Sequence, residues 1–212
     1  SEKGSWGPGP LPATAPATVN GLTDVQAITT AAGTAYALLG DGTVRSWGVG
    51  TSGALGVSSP PAVSSDLQTV EGLDGVTSIV GTEDNTALAV KSDGTVWAWG
   101  SNSDGLLGRS GIAQSDVPVQ VPGLSGVVQV ATSYDLGAAL TADGSVYVWG
   151  LRGAESMAPR LFAESTGGTD LAVYGSLFVL NPDGVLVATV ARTGSAQWGT
   201  VPLPNVVELF PS

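Results

Sequence analysis

The stretch DGTVRSWG, Asp41 to Gly48, returns as DGTVWAWG from Asp93 to Gly100 and as DGSVYVWG from Asp143 to Gly150. Asp-Gly between apolar runs is a hairpin signal, because the tight turn needs a residue at positive φ and glycine reaches it without steric cost. The residues that follow are nearly continuous in apolar character: Val96, Trp97 and Trp99 in one copy, Val146, Tyr147, Val148 and Trp149 in the next. A strand of that kind is covered on both faces, which sheets stacked face to face provide. Trp47, Trp99 and Trp149 are therefore expected to fill the space between adjacent sheets. The glycine after each is expected to let the chain turn away.

These copies lie 52 and 50 residues apart, and a weaker one, PDGVLVATV from Pro182, follows after 40. Trp-Gly recurs at Trp6, Trp47, Trp99, Trp149 and Trp198. A second landmark precedes each copy: GLTDVQAI from Gly21, GLDGVTSI from Gly72 and GLSGVVQV from Gly123, with a degenerate LPNVVELF from Leu203 to Phe210. Each unit thus reads as an apolar strand, a small loop, a second strand, Asp-Gly, a third strand ending in Trp-Gly, and a variable loop. A unit of three or four strands cannot bury its own faces, so neighbouring copies must do it. A period near 50 residues with strand signals throughout predicts an all-β fold of about four propeller-type blades. We read residues 1–212 as a single repeat domain, with approximate units 8–48, 49–100, 101–150 and 151–199 and the start of a further blade at 200–212. The Pro/Ala/Thr-rich stretch from Pro8 to Val19 is the variable loop of the first unit in an extended state.

Composition narrows the chemistry. The 212 residues include no cysteine and no histidine, and 18 acidic against 7 basic residues give a net charge of −11. No disulfide or thiolate metal site is possible, and the commonest general base at neutral pH is missing. So acidic a chain is repelled by nucleic acid and by anionic membrane surfaces. No apolar run approaches a membrane span, so membrane insertion is not expected. With 42% hydrophobic and only 12% charged residues, the chain should fold despite 31 glycines and 13 prolines.

The landmarks resemble the regulator of chromosome condensation repeat family. Units of that family run as an apolar strand, a glycine, often a histidine, a small-apolar strand, Asp-Gly, and a strand ending in Trp-Gly. An Asn and a Gly-x-Leu-Gly loop follow. WGSNSDGLLG, Trp99 to Gly108, matches that loop; WGVGTSGALG, Trp47 to Gly56, matches it without the Asn; WGLRGAESMAP, Trp149 to Pro159, departs from it. The histidine's place is held by Thr86 and Leu136, and near Ala35 in the first unit. The resemblance implies a propeller, in a family that usually closes seven blades and includes an exchange factor for a small GTPase, inhibitor propellers and many bacterial proteins. About four units against seven leaves three readings open: a fragment, a small closed ring, or a subunit of a composite ring.

Candidate sites follow from what recurs and what varies. Asp41, Asp93, Asp143 and Asp183 repeat, but each precedes glycine in a turn, which is turn chemistry rather than a catalytic carboxylate pair. Asn102, Ser103 and Asp104 faintly suggest an oxygen-ligand loop for calcium, though the spacing lacks a bidentate Glu, and an ordered polar loop is expected. No catalytic residue, metal ligand or cofactor is assigned. The loop between first and second strands changes from copy to copy on a constant frame, as binding loops do. It carries Thr34 and Tyr36 in the first unit, Glu83, Asp84 and Asn85 in the second, Tyr134 and Asp135 in the third and Tyr174 in the fourth. Tyr134 with Asp135 is the foremost candidate, since Tyr anchors contacts at little entropic cost. The expected function is a non-catalytic protein-binding or structural module on a surface or in an assembled particle such as a virion, with a carbohydrate-binding module as the alternative. Its partner is a protein or a second copy meeting the terminal blades. An extracellular, surface or virion setting is favoured.

Overall fold

The computed structural model describes residues 19–133, 135–150, 158–162, 167–174, 176–182, 184–190 and 196–201, the last two stretches as backbone. Among them, sixteen strands form four antiparallel four-stranded sheets. The first sheet holds β1 (Val25–Ala31), β2 (Thr34–Leu39), β3 (Val44–Val49) and β4 (Val63–Thr69). The second holds β5 (Val76–Gly81), β6 (Thr86–Lys91), β7 (Val96–Ser101) and β8 (Gln114–Gln120). The third holds β9 (Val127–Ser133), β10 (Leu136–Thr141), β11 (Val146–Gly150) and β12 (Arg160–Leu161). The fourth holds β13 (Asp170–Val173), β14 (Leu177–Asn181), β15 (Gly184–Val190) and β16 (Ala196–Val201).

Strand order follows the chain within every sheet, so each is a simple meander. Contacts between β1 and β5, β5 and β9, and β9 and β13 place each sheet's first strand on the inner side of an arc and its fourth on the outer rim. This is the blade arrangement of a β-propeller, and among the described residues the arc is not closed.

The Asp-Gly hairpins have three-residue loops. The Gly42 N–H donates to the Leu39 carbonyl and the Leu39 N–H to the Thr43 carbonyl, both at 2.9 Å; Lys91 to Thr95 and Thr141 to Ser145 repeat the pattern. Only the glycine takes positive φ: 79° at Gly42, 76° at Gly94 and 81° at Gly144. The aspartate instead accepts hydrogen bonds that stiffen the loop. Asp93 Oδ1 takes the Thr95 N–H at 2.9 Å and its hydroxyl at 2.6 Å, and Asp41 does the same with Thr43. The turn also fastens one blade to the next. The Gly42 and Gly94 carbonyls accept the N–H groups of Val76 and Val127 at 3.0 Å, and a Cβ on Gly94 would lie 2.7 Å from the Gly126 backbone.

Burial follows the repeat. Trp47, Trp99 and Trp149 are all buried. Between the first two blades, Tyr36, Leu38, Val44, Val70 and Leu73 of one meet Val76, Ile79, Ala87, Ala89 and Trp99 of the other. The next layer packs Leu88, Val90, Val96, Leu107 and Val121 against Val127, Val130, Ala139 and Trp149. The third packs Leu140, Val146, Val148 and Phe162 against Leu171, Leu177 and Val179. Neighbours thus bury each other's faces, as the repeat requires.

Three local expectations change. The chain does not turn away at the glycine after each Trp, since β3 runs on to Val49 and β7 to Ser101. Gly100, at φ 94°, lies where the β7–β8 register shifts, and a Cβ there would stand 2.0 Å from the Asn85 carbonyl. The glycine therefore admits a bulge and a close backbone approach. The segments read as variable loops contain the fourth strands β4, β8 and β12. Their largely polar sequences suit an outer rim wetted by solvent and show no apolar alternation. Finally, Trp198 falls on the outermost strand, opposite Ala188, and does not repeat the third-strand place of the other three tryptophans.

Candidate functional site

The loops joining first to second strands lie at one end of the blades, and the loops leaving the third strands lie beside them, because Thr34 faces Gly48 and Thr86 faces Gly100 across each hairpin. Glu83 is exposed at this end, with Asp84, Asn85 and Asp135 partly so, and Tyr174 stands almost fully in solvent. Tyr134 lies outside the described residues, as do Asp183, Trp6 and the segment from Val206 to Phe210. Asn85 adopts φ 59°, a left-handed turn conformation that asparagine tolerates better than most residues. Asp84 is tied to the adjoining loop. Its Oδ2 accepts the Ser103 hydroxyl and, at 3.5 Å, the Ser101 hydroxyl, so second-blade loops from two different connections form one polar cluster.

Thr34 and Tyr36 are not loop residues. They begin β2 and are buried, because strand pairing starts directly after the two-residue connection Ala32-Gly33. The Tyr36 hydroxyl donates to the Ala54 carbonyl at 2.5 Å, and burial pushes its phenol well above the usual range. The register also corrects the place of the family's histidine in the first unit. Thr34, not Ala35, is the equivalent of Thr86. Each threonine donates its hydroxyl to a carbonyl just beyond the Trp-Gly glycine, Val49 for Thr34 and Ser101 for Thr86, the latter at 2.8 Å.

The loops after the third strand hold what the sequence reading missed. Asn102 is buried, and its amide donates to the Arg109 and Ile112 carbonyls at 2.9 and 2.8 Å while Oδ1 accepts the Leu107 N–H at 2.9 Å. The side chain considered for calcium is thus committed to clamping its own loop. Among the described residues no cluster of three or more acidic side chains is placed to hold a metal ion. The loop after each third strand then serves the next blade: Trp99 Nε1 donates to the Ala54 carbonyl at 3.0 Å, and Trp149 Nε1 to the Leu106 carbonyl at 2.9 Å. Tyr36 and Trp99 meet edge to face at 5.7 Å over the shared Ala54 acceptor. The signal in the sequence was the Gly-x-Leu-Gly pair, Gly53 to Gly56 and Gly105 to Gly108, in each of which the second residue accepts the next blade's indole.

The exposed end is thus acidic and polar, set on rigid turns, with aromatic content at Tyr174. Such a surface can make hydrogen bonds and ion pairs to a basic partner. The repeated aspartates lie at the opposite ends of the strands, and their neighbouring hydroxyls hold their carboxyls below the usual range: Thr43 for Asp41, Thr95 for Asp93 and Thr141 for Asp143.

Comparison with known proteins agrees with this architecture. Two models of the regulator of chromosome condensation (RCC1) repeat match the chain, at residues 93–140 and 76–106. The human E3 ubiquitin-protein ligase HERC2 is 35% identical over 147 residues, covering 66% of this chain but 3% of that protein. The crystal structure of human WBSCR16 superposes with a TM-score of 0.65 at 25% identity, over 83% of this chain and 48% of the other. That of Prp20p from Saccharomyces cerevisiae does so with 0.66 at 18%, over 82% and 48%. The chain therefore spans a small part of HERC2 and about half of each solved relative. Repeated Asp-Gly and Trp-Gly landmarks, four meander blades and these matches together show repeats of the regulator of chromosome condensation (RCC1) family in this chain, matched by the family models over residues 76–140.

Proposed function

We propose that this chain is a non-catalytic protein-binding module whose acidic loop end, with Glu83, Asp84, Asn85, Tyr134, Asp135 and Tyr174, receives a basic segment of a partner protein. The observation that carries this reading is the contrast between constant frame and variable loops: the Asp-Gly turn bonds and the buried tryptophan repeat in the first three blades, while the residues offered to solvent at this end do not. The net charge of −11 favours a basic protein and opposes nucleic acid. Prp20p, which shares the fold, binds Gsp1p and histones, and both are proteins. A setting on a surface or in an assembled particle such as a virion belongs to the same proposal, as does the grouping of residues 1–212 into one repeat domain.

Titration calorimetry of the whole chain with a purified core histone tests the reading. Binding that weakens between about 50 and 300 mM salt and is lost in the Glu83→Lys, Asp135→Lys double variant supports it. No binding at low salt, or binding untouched by the charge reversal, contradicts it. One observation favours the carbohydrate alternative: Tyr174 is 82% exposed, as a sugar-stacking platform would be. A glycan titration in which Tyr174→Ala abolishes a response would replace the first reading with the second.

A further inference from the structure

The sequence holds five asparagines, and the structure sets one of them apart. An asparagine side-chain amide is open to attack by the backbone nitrogen of the following residue when that nitrogen is unbonded, uncrowded and in solvent. Asn85 and Asn102 fail the first condition. The Thr86 N–H donates to the Thr82 hydroxyl at 3.2 Å, where a strand begins. The Ser103 N–H donates to the Ser101 hydroxyl at 3.2 Å, and the Asn102 amide is itself buried and held by its clamp. Asn181 precedes Pro182, whose nitrogen carries no proton to lose. Asn205 lies outside the described residues and precedes the branched Val206.

Asn20 meets every condition. It is exposed in a turn ahead of β1, and Gly21 after it is exposed, has no side chain and takes φ 91°. The Gly21 N–H has no hydrogen-bond partner among the described residues. This exposure belongs to the repeat. Glu71-Gly72 and Pro122-Gly123 hold the same place between later blades, with Gly72 and Gly123 at φ 69° and 77°, and all four residues are exposed there too. Only the first unit brings a side-chain amide to this turn. The second carries a carboxylate, so the place tolerates a negative charge. The Asp-Gly hairpins share the dipeptide pattern but not the chemistry. Their aspartates are ionised at neutral pH, which makes them poor targets, and the N–H groups of Gly42, Gly94 and Gly144 are bonded to the Leu39, Lys91 and Thr141 carbonyls.

We propose that Asn20 is a site of self-modification, deamidating through a cyclic imide in the folded chain. The Gly21 nitrogen bonds to Asn20 Cγ, the Cγ–Nδ2 bond breaks, and ammonia leaves with the proton that Gly21 gives up. Water then opens the ring at either carbonyl. Opening at Cγ leaves aspartate, and opening at the main-chain carbonyl leaves isoaspartate, with the backbone running through the former side chain. Each product makes the chain one unit more negative. The proposal does not depend on the loop end binding a partner. Ageing the whole chain in mildly alkaline buffer tests it, with each asparagine peptide weighed by mass spectrometry and isoaspartate counted by methylation with protein isoaspartyl methyltransferase. A hydrogen bond on the attacking N–H is worth about tenfold in rate, so Asn20 should convert at least about tenfold faster than Asn85 or Asn102. Asn20→Gln should remove the isoaspartate signal, and unfolding in urea should let Asn102 join the reaction. An Asn20 peptide left unchanged in the folded chain, or conversion at Asn85 or Asn102 that keeps pace with it there, overturns the proposal.

Discussion

Trp47 and Trp99 occupy the same place in two copies of one sequence, yet their surroundings differ. Both are buried, follow a three-residue Asp-Gly loop and precede a left-handed glycine. Trp99 lies against Tyr36 and gives its indole proton to Ala54, while Trp47 has no acceptor and its blade leaves Ile28 in solvent. The hairpin, the third strand and the glycine after the tryptophan are present in both, and only the loop clamp at Asn102, Gly50 in the first blade, differs within the unit. What differs around the tryptophan is supplied by the preceding blade. A unit of this repeat therefore encodes half of two interfaces and completes neither alone, which is why such proteins are stabilised by nearest-neighbour contacts as much as by their units.

The largest break in the comparison should come from deleting the ring systems. Trp99→Ala removes an indole enclosed by two blades and should cost roughly 3–5 kcal/mol in urea unfolding. Trp47→Ala should cost clearly less in the same assay. Equal losses would show that the preceding blade adds nothing.

The clamp comes next. Asn102→Ala leaves the Arg109 and Ile112 carbonyls and the Leu107 N–H without their partner and should cost about 1–3 kcal/mol. The first blade has Gly50 at that place, where a Cβ would lie 2.0 Å from the Pro61 carbonyl. Gly50→Asn should therefore destabilise rather than supply the missing clamp. A gain in melting temperature would show that the first-blade loop can adopt the second-blade form.

A finer test exchanges only the donor. Trp99→Phe loses a buried hydrogen bond and should cost about 1–2 kcal/mol beyond what Trp47→Phe costs, since the latter also removes an unsatisfied group. Smallest of all is the response to acid. Threonine hydroxyls hold Asp41, Asp93 and Asp143 below the ordinary carboxylate value of 3.8. A depressed native value means the contribution is fully present above the unfolded-state value and is lost as pH falls through the native one. Urea midpoints should thus hold from pH 7 to about 5 and decline below about 4. The Asp93→Asn chain should show a shallower decline. An unchanged slope in that variant would place the acid sensitivity elsewhere.

The hairpins and the buried tryptophans were legible because their causes are local: Gly42, Gly94 and Gly144 reach positive φ cheaply, and apolar residues on both faces of a strand require cover. The fourth strands were not legible. β4 and β8 lie on an outer rim, and β8 even carries Pro118, so neither shows the alternation that marks a half-buried strand. Trp198 repeats the motif in letters, but pairing puts it one strand further out. At the candidate site, the variable loops could be located, but Thr34 and Tyr36 were misplaced, since the length of a two-residue connection is set by pairing rather than by composition. Asn102 could not be read as a clamp, because its three partners come together only when its loop folds back on itself.

Indole hydrogen exchange in the folded, tryptophan-labelled chain tests the central claim, that a blade's tryptophan is held by the blade before it. The Trp99 and Trp149 indole protons, bonded to Ala54 and Leu106, should exchange far more slowly than that of Trp47. A Trp47 proton protected as well as the other two, in a chain sedimenting as a single copy, would contradict the account.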